Sequence, residues 1–330
     1  MTIVLGSVAF FIAAICAGVM GYAIQRGATC TVAAVNEIVA QRSFRRLAAI
    51  VESALWVAGG LLLAQALHLL PKLPAGYGVT MWTIVGSVLL GLGAYVNGAC
   101  IFGAVARLGS GEWAYAATPI GFYVGCVSVA AVFGGHDPLP LAQGSPPLRL
   151  SAWVALLFVA FMAWRVARPW RRRREHVEPT RWHAVLAAHV WSPHAATTII
   201  ALTFVGLLLL VGSWAYTDVL AELARGMAGN VVARSLLLVV LLLGAIFGGW
   251  TAGRLRSTPV SVRRVLLCGA GGVLMGWGSL LLPGGNDGLV LLGMPLAWPY
   301  AWLAFATMCA TIAAAQLAQR GVASRLQARP

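Results

Sequence analysis

Charged side chains are scarce in this sequence. Of its 330 residues, 10% are charged, 60% are hydrophobic and only nine are acidic, whereas a soluble domain carries about 25% charged residues. Several apolar runs approach or exceed the ~20 residues that cross a bilayer. The composition therefore excludes an ordinary water-soluble protein and predicts a polytopic helical membrane protein. The net charge of +14 does not indicate a nucleic-acid partner, because the basic residues cluster at the ends of the apolar runs.

Signatures of catalysis, metal binding and cofactor binding are also missing. The six cysteines form no C-x-x-C pair, and no histidine spacing completes a zinc site. The chain contains no Gly-Lys-Ser/Thr phosphate loop and no paired carboxylates. We therefore expect no enzymatic activity, no metal and no cofactor. Four cysteines lie in plain apolar helix and are expected to pack as small hydrophobic residues: Cys16, Cys126, Cys268 and Cys309.

The distribution of basic residues predicts the topology. Nine spans are expected, at about 3–24, 46–70, 79–97, 114–134, 151–167, 197–216, 232–251, 264–282 and 297–318. With the N-terminus outside, 19 of the 23 basic residues fall in inside loops, as the positive-inside rule requires. We therefore expect a multi-pass protein of the cell inner membrane, in contact with its lipid, with the N-terminus outside and the C-terminus cytoplasmic.

An ungapped internal repeat relates residues 86–116 to residues 271–301. Ten of the 31 paired positions are identical, most of them glycine or aromatic, which indicates a structural repeat. The span count makes the two copies antiparallel. The predicted fold is all-α, with nine transmembrane helices and short re-entrant half-helices, in two inverted four-span repeats joined by a connector helix. The expected units are a first repeat at 1–134, a connector span with a basic cytoplasmic segment at 135–192, and a second repeat at 193–330.

The first of two glycine-containing breaks covers residues 21–30. Gly27 weakens helix continuity there, and Thr29 is predicted to cap a short helix over residues 31–41. The N-terminus of that helix would direct its partial positive charge towards Cys30, which favours an anion.

The second break covers residues 97–103. Asn97 and Gly98 end the third span, and Cys100 lies at the bend. Irregular backbone at membrane depth is tolerated only where it is buried in protein or lines a cavity, so Cys30 and Cys100 are expected to face an interior path. Tight helix packing, with cysteine as a small filler, is an alternative that the residues leave open.

Two charged residues near these breaks have two interpretations each. Arg26 is either a partner for an anion or a basic residue at the inner end of a helix. Asp287, in the loop that replaces the Cys100 loop in the second copy, is either a buried carboxylate or part of a turn in outer water. A carboxylate at membrane depth costs ~3 kcal/mol, so a buried one is expected to take up a proton or a small cation.

At these residues the chain resembles the YeeE/YedE family of sulfur-compound permeases, which includes thiosulfate uptake proteins. The resemblance covers most of the chain and rests on three stretches: Gly21 with Gln25-Arg26 and Cys30, Gly91-x-Gly93 with Asn97-Gly98-Ala99-Cys100-x-x-Gly103, and Gly271-Gly272-Val273-Leu274-Met275-Gly276-x-Gly278. It implies an hourglass of inverted halves, with short helices entering from both faces. It also implies that thiosulfate passes a line of cysteine thiols through weak S–H hydrogen bonds.

The chain departs from the family in the second half. Family members usually have Gly-Gly-Cys in the later loop, whereas here Gly285 holds the cysteine position and Asn286 and Asp287 follow. The counterpart of the Cys30 region, near residues 215–218, has no cysteine either. An acidic residue on the route would repel a dianion unless it is protonated. The substrate is therefore thiosulfate-like, a different sulfur compound, or not an anion.

These observations predict a permease that imports a small sulfur-containing solute, such as the thiosulfate anion, along a cysteine-lined path at the repeat interface. Two alternatives stay open. One is a sulfur-relay component that passes persulfide sulfur from Cys30 to a soluble carrier protein on the cytoplasmic side. The other is a non-transporting subunit of another membrane complex. The predicted path residues are Gln25, Arg26, Cys30, Asn97, Gly98, Cys100, Gly285, Asn286 and Asp287.

Overall fold

The computed structural model describes residues 5–71, 73–134, 138–141, 144–149, 152–174, 190–226 and 230–327. These residues form helices joined by short loops, with one isolated β-bridge between Tyr77 and Pro140. The basic run 171–174, expected within residues 135–192, is helical, and residues 175–189 lie outside the described part.

The helices follow one another in two similar series. The first is α1 (Val8–Gly27), α2 (Thr31–Gln41), α3 (Arg45–Ala66), α4 (Met81–Asn97), α5 (Ile101–Gly109), a 3-10 turn (Trp113–Ala116) and α6 (Ala117–Phe133). A 3-10 turn (Pro147–Arg149) and α7 (Ala152–Arg174) come next. The second series is α8 (Pro193–Val211), α9 (Tyr216–Ala224), α10 (Val231–Thr251), α11 (Val262–Leu281), α12 (Asn286–Gly288, continued by a π-helical turn Leu289–Gly293) and α13 (Pro299–Gln327).

The chain is a multi-pass membrane protein. Eight helical stretches in the described residues are long and apolar enough to cross a membrane, and each overlaps one of the predicted spans. The remaining predicted span, 151–167, falls on α7, whose apolar part is the shorter Trp153–Arg165. The nine-span count therefore stays a prediction.

The first helix break has the predicted position but not the predicted cap. Helix α1 ends at Gly27, Ala28 adopts a left-handed conformation with φ 45°, and α2 covers residues 31–41 as expected. The prediction that Thr29 caps α2 is wrong. Cys30 is the N-cap residue, in extended conformation with φ −158° and ψ 126°.

Helices α4 and α11 pack antiparallel through glycines. A Cβ added to Gly86 would lie 2.8 Å from the carbonyl oxygen of Gly278, and one added to Gly93 would lie 2.7 Å from the carbonyl oxygen of Gly271. Larger side chains would force the backbones apart, and close packing of small residues is what holds helices together in lipid.

The remaining helices surround four short ones. Helix α1 packs on α8 and α10, α3 packs on α8, α4 packs on α13, and α6 packs on α11. At the centre α2 contacts α5, α5 contacts α12, and α12 contacts α9. Every predicted path residue lies on or caps one of these short helices, or lies in the last turn or at the C-cap of α1 or α4.

Candidate functional site

Cys30 and Cys100 lie together where α2 and α5 begin. Each is the N-cap residue of its short helix, Cys30 of α2 and Cys100 of α5. The backbone N–H of Thr31 donates to Cys100 Sγ at 3.1 Å. The structure therefore brings together the two thiols that the sequence separates by 70 positions.

Gly103 makes room for the Cys30 thiol. A Cβ added to Gly103 would lie 2.5 Å from Cys30 Sγ and 2.9 Å from Cys30 Cβ. Any side chain at residue 103 would displace the thiol, since atoms in contact do not approach so closely. The glycine fixes Cys30 against the first turn of α5.

A cavity of about 630 Å3 reaches Cys30 from one end of the bundle. Gln25, Gly98 and Gly103 also line it, so three predicted path residues and Gly103 share one space. Cys100 is fully buried and does not line this cavity. Cys30 is therefore the first thiol that a solute in the cavity meets, and Cys100 lies behind it.

Basic side chains dominate the charge of this first cavity. Arg46 and Arg107 are paired with carboxylates, Arg46 with Glu37 at 3.0 Å and Arg107 with Glu112 at 3.1 Å. Arg254 and Arg256 also line the cavity, and neither has a carboxylate within 4.0 Å in the part of the chain that is described. The cavity therefore attracts anions.

Asn97 and Gly98 shape the second break. The Asn97 amide donates to the carbonyl oxygen of Ala99 at 2.7 Å, and its oxygen accepts from the Thr118 hydroxyl at 3.0 Å. Gly98 has φ +72°, which favours glycine. Asn97 thus holds the bend that presents Cys100, and Gly98 lets the chain make it.

Gln25 and Arg26, at the end of α1, have side chains in different surroundings. Gln25 lines the first cavity and donates to the Ser110 hydroxyl at 3.4 Å. Arg26 is fully buried, donates to the Tyr22 hydroxyl at 2.9 Å and the Thr251 hydroxyl at 2.8 Å, and is not among the cavity-lining residues. Its guanidinium therefore joins α1 to α10, whereas Gln25 faces the solute space.

Asn286 lies between the two halves of the site. It is fully buried, and its side-chain nitrogen lies 3.5 Å from the Thr31 hydroxyl. Its side-chain oxygen accepts no hydrogen bond within the described residues. A buried amide with one end unsatisfied costs free energy unless a ligand or water completes it.

Asp287 is buried and fixed on α9. One carboxylate oxygen accepts from the Thr217 backbone N–H at 3.0 Å, and the other accepts from the Thr217 hydroxyl and from the Gly288 N–H. With 1% of its surface exposed, the carboxylate is not in a turn that reaches outer water. Its contact with the N-terminus of α9 parallels that of Cys100 with the N-terminus of α2.

Gly285 occupies the N-cap position of α12, as Cys100 does in α5. The repeat pairs these two positions, so the second half has no thiol where the first half has Cys100. Gly285 packs directly against Thr217, whose hydroxyl oxygen would lie 2.3 Å from a Cβ at residue 285.

A second cavity of about 230 Å3 lies beyond Asp287. Asp218, Glu222 and Arg225 line it together with Gly284 and Gly288. Helix α11 ends beside this cavity and α4 ends beside the first one. Because α4 and α11 are antiparallel, the cavities lie at opposite ends of the bundle, with Cys100, Asn286 and Asp287 between them.

Sequence reasoning missed three residues of the site: Thr31, Thr217 and Asp218. Nothing in their neighbourhood marks Thr31 or Thr217 as partners of Cys100 and Asp287, because each contact joins distant parts of the chain. Asp218 was detectable, since it is an acidic residue in the stretch that corresponds to the Cys30 region.

All six cysteines are free thiols. No group of three or more histidine, cysteine or acidic side chains arranged to hold a metal occurs among the residues that the structure describes. The site therefore offers thiols, amides, carboxylates and backbone N–H groups as its chemistry.

A family model described as sulphur transport covers residues 26–314, which include all the helices that form the site except most of α1 and the end of α13. No curated protein matches the chain at a significant level.

Proposed function

Because this chain belongs to the YeeE/YedE sulphur transport family, we propose that it is an inner-membrane permease that imports a small sulfur-containing solute between its two halves. The family and the membrane-spanning helices support a sulfur-related membrane transporter, and a non-enzymatic one. Thiosulfate is the first solute to test.

The contact between Thr31 and Cys100, with Cys30 beside it, carries this proposal. Two thiols at the N-termini of two short helices offer S–H donors and partial positive charge at the same point. A soft anion that reaches this point replaces Cys100 as the acceptor of the Thr31 N–H. Thiols are weak donors, so the anion is bound loosely enough to leave again.

The proposed frame is a pair of inverted repeats, 1–134 and 193–330, joined by a connector at 135–192. The glycine contacts between α4 and α11 support it. Gly86 and Gly271 are paired by the repeat, as are Gly93 and Gly278, and the contacts of Gly86 with Gly278 and of Gly93 with Gly271 exchange under that pairing. This reciprocity is typical of transporters with inverted halves and a central site.

The proposed orientation has nine spans, the N-terminus outside and the C-terminus cytoplasmic. The first cavity then opens to the cytoplasm, in agreement with its arginines, and the second cavity opens outside. A solute enters past Asp218, crosses at Asn286 and Cys100, and leaves past Cys30.

The test is uptake of labelled thiosulfate into liposomes that contain the purified protein. We expect Cys100→Ala and Cys30→Ala to reduce initial uptake at least about tenfold, which corresponds to about 1.4 kcal/mol. Cys309→Ala is the matched control, because Cys309 lies on α13 away from both cavities and is expected to leave uptake within about twofold. Unchanged uptake in both site variants would exclude the thiol path.

A sulfur-relay component is the second candidate, and the position of Cys30 favours it. Cys30 lines the cavity that we assign to the cytoplasmic side, so a soluble carrier protein has a route to its sulfur. Mass spectrometry of protein incubated with a sulfane-sulfur donor separates the two functions. An adduct on Cys30 that transfers to a carrier, without solute flux, supports the relay, whereas flux without an adduct supports the permease.

A further inference from the structure

The second half of the site has carboxylates where the first half has thiols. Cys30 Sγ lies against Gly103, and Asp218 Oδ1 would lie 3.8 Å from a Cβ at Gly288, the residue that the repeat pairs with Gly103. Cys100 accepts from the first turn of α2, and Asp287 accepts from the first turn of α9. Two thiols in one half are thus matched by two carboxylates in the other.

The remaining charges on this side do not compensate the two carboxylates fully. Glu222 is paired with Arg234 at 2.9 Å. Among the described residues that line or border the second cavity, Arg225 is then the single unpaired cation beside Asp218 and Asp287. A fully ionised sulfur dianion therefore meets repulsion here, whereas the first cavity attracts it.

An independent observation comes from the buried region between the two cavities. Asn286 is fully buried, and its oxygen accepts no hydrogen bond from the described residues. Its amide nitrogen is directed to Thr31. With the thiol of the family pattern replaced by Gly285, the second half presents acceptors to the solute at Asn286, Asp287 and Asp218.

We propose that the solute of this chain carries a hydrogen-bond donor on sulfur, an S–H group, and at most one negative charge. The inference rests on the proposed transport function and specifies its substrate class as small thiols, neutral or monoanionic. The S–H donates to the Asp287 carboxylate in place of Thr217 and then to Asn286 Oδ1. The anionic end, where present, is held by Arg254 and Arg256 in the first cavity.

The decisive experiment compares three solutes in liposomes that contain the full chain. Mercaptoacetate carries one charge and an S–H, methylthioacetate is the same anion with the S–H methylated, and thiosulfate is the dianion. A site built to receive a donor rejects an analogue that lacks it, so mercaptoacetate is expected to enter at least about tenfold faster than methylthioacetate. Thiosulfate is expected to be slower than mercaptoacetate.

Asn286→Ala tests the residue directly. We expect this variant to lose the preference for mercaptoacetate over methylthioacetate, while Cys309→Ala keeps it. The comparison of solutes on the unaltered protein does not depend on whether the variant folds.

Two results would overturn the proposal, and only one of them also excludes the transport function. Transport of thiosulfate or methylthioacetate as fast as mercaptoacetate excludes the S–H preference and leaves the permease function intact. Absence of protein-dependent flux for all three solutes removes the transport function on which the preference rests.

Discussion

The side chain of Thr217 leaves no room for a side chain at Gly285. A Cβ added to Gly285 would lie 2.3 Å from Thr217 Oγ1 and 2.7 Å from Thr217 Cβ. A cysteine at residue 285 is therefore incompatible with a threonine at residue 217. The departure from the family pattern is a change of the local packing, in which Thr217 takes the space of the missing thiol and also binds Asp287.

The first prediction concerns this pair. Gly285→Ala is expected to destabilise the protein by about 1–3 kcal/mol, the usual range for overpacking a core. In a protein that already carries Thr217→Gly, the same Gly285→Ala change is expected to cost much less stability. Thermal unfolding of the four proteins in one detergent measures the coupling, and purely additive effects would show that the two residues do not collide.

The second prediction concerns Gly103. A methyl group at this position displaces the Cys30 thiol from α5, so Gly103→Ala is expected to reduce solute uptake at least about tenfold even where the protein stays folded. Gly269→Ala is the matched control, because a Cβ at Gly269 meets nothing within 4 Å. Equal uptake by the two variants would mean that the position of the Cys30 thiol is unimportant.

The third prediction concerns the unpaired arginines of the first cavity. Arg254→Gln/Arg256→Gln is expected to raise the KM for an anionic solute presented from the side of the first cavity at least about threefold, because the cavity concentrates anions less strongly. The effect is expected to shrink as salt increases, since charges are screened within about 8 Å at physiological ionic strength. Arg263→Gln, an exposed residue outside the cavity, serves as control, and a salt-independent KM in the parent protein would argue against attraction.

The fourth prediction concerns Glu52, which joins three helices. On α3 it accepts from Arg165 of α7 at 2.8 Å and contacts His194 of α8 at 2.5 Å. Hydrogen bonds to charged groups contribute about 1.5–3 kcal/mol, so Glu52→Gln is expected to lower the free energy of unfolding by about 2 kcal/mol. Glu112→Gln breaks a more exposed ion pair with Arg107, which is expected to cost less than about 1 kcal/mol. Equal melting temperatures would show that Glu52 does not hold α7.

Much of the fold was predictable because hydrophobicity and glycine position determine where helices start and stop in a membrane. The spans and the helix over residues 31–41 are local features of this kind. The repeat register pairs Cys100 with Gly285, and both are N-cap residues. The prediction that Thr29 caps α2 was wrong because Cys30 is the residue in extended conformation just before the helix.

The contacts of the site were not predictable in the same way. Thr31 reaches Cys100 across 69 residues, and Thr217 reaches Asp287 across 70. Such contacts depend on how the helices pack, and a single sequence carries no signal for them. The burial of Asp287 has the same origin, because a Gly-Asn-Asp-Gly stretch is compatible with a turn in water until the packing of α9 is known.

The central claim, that solute passes the Cys30 thiol, is tested most directly by chemical modification. A variant that keeps only Cys30 and Cys100, with the other four cysteines changed to alanine, is treated from the side of the first cavity with a charged methanethiosulfonate reagent. We expect modification of Cys30 to abolish solute flux and saturating solute to slow the modification. Full modification of Cys30 with unchanged flux would contradict the account.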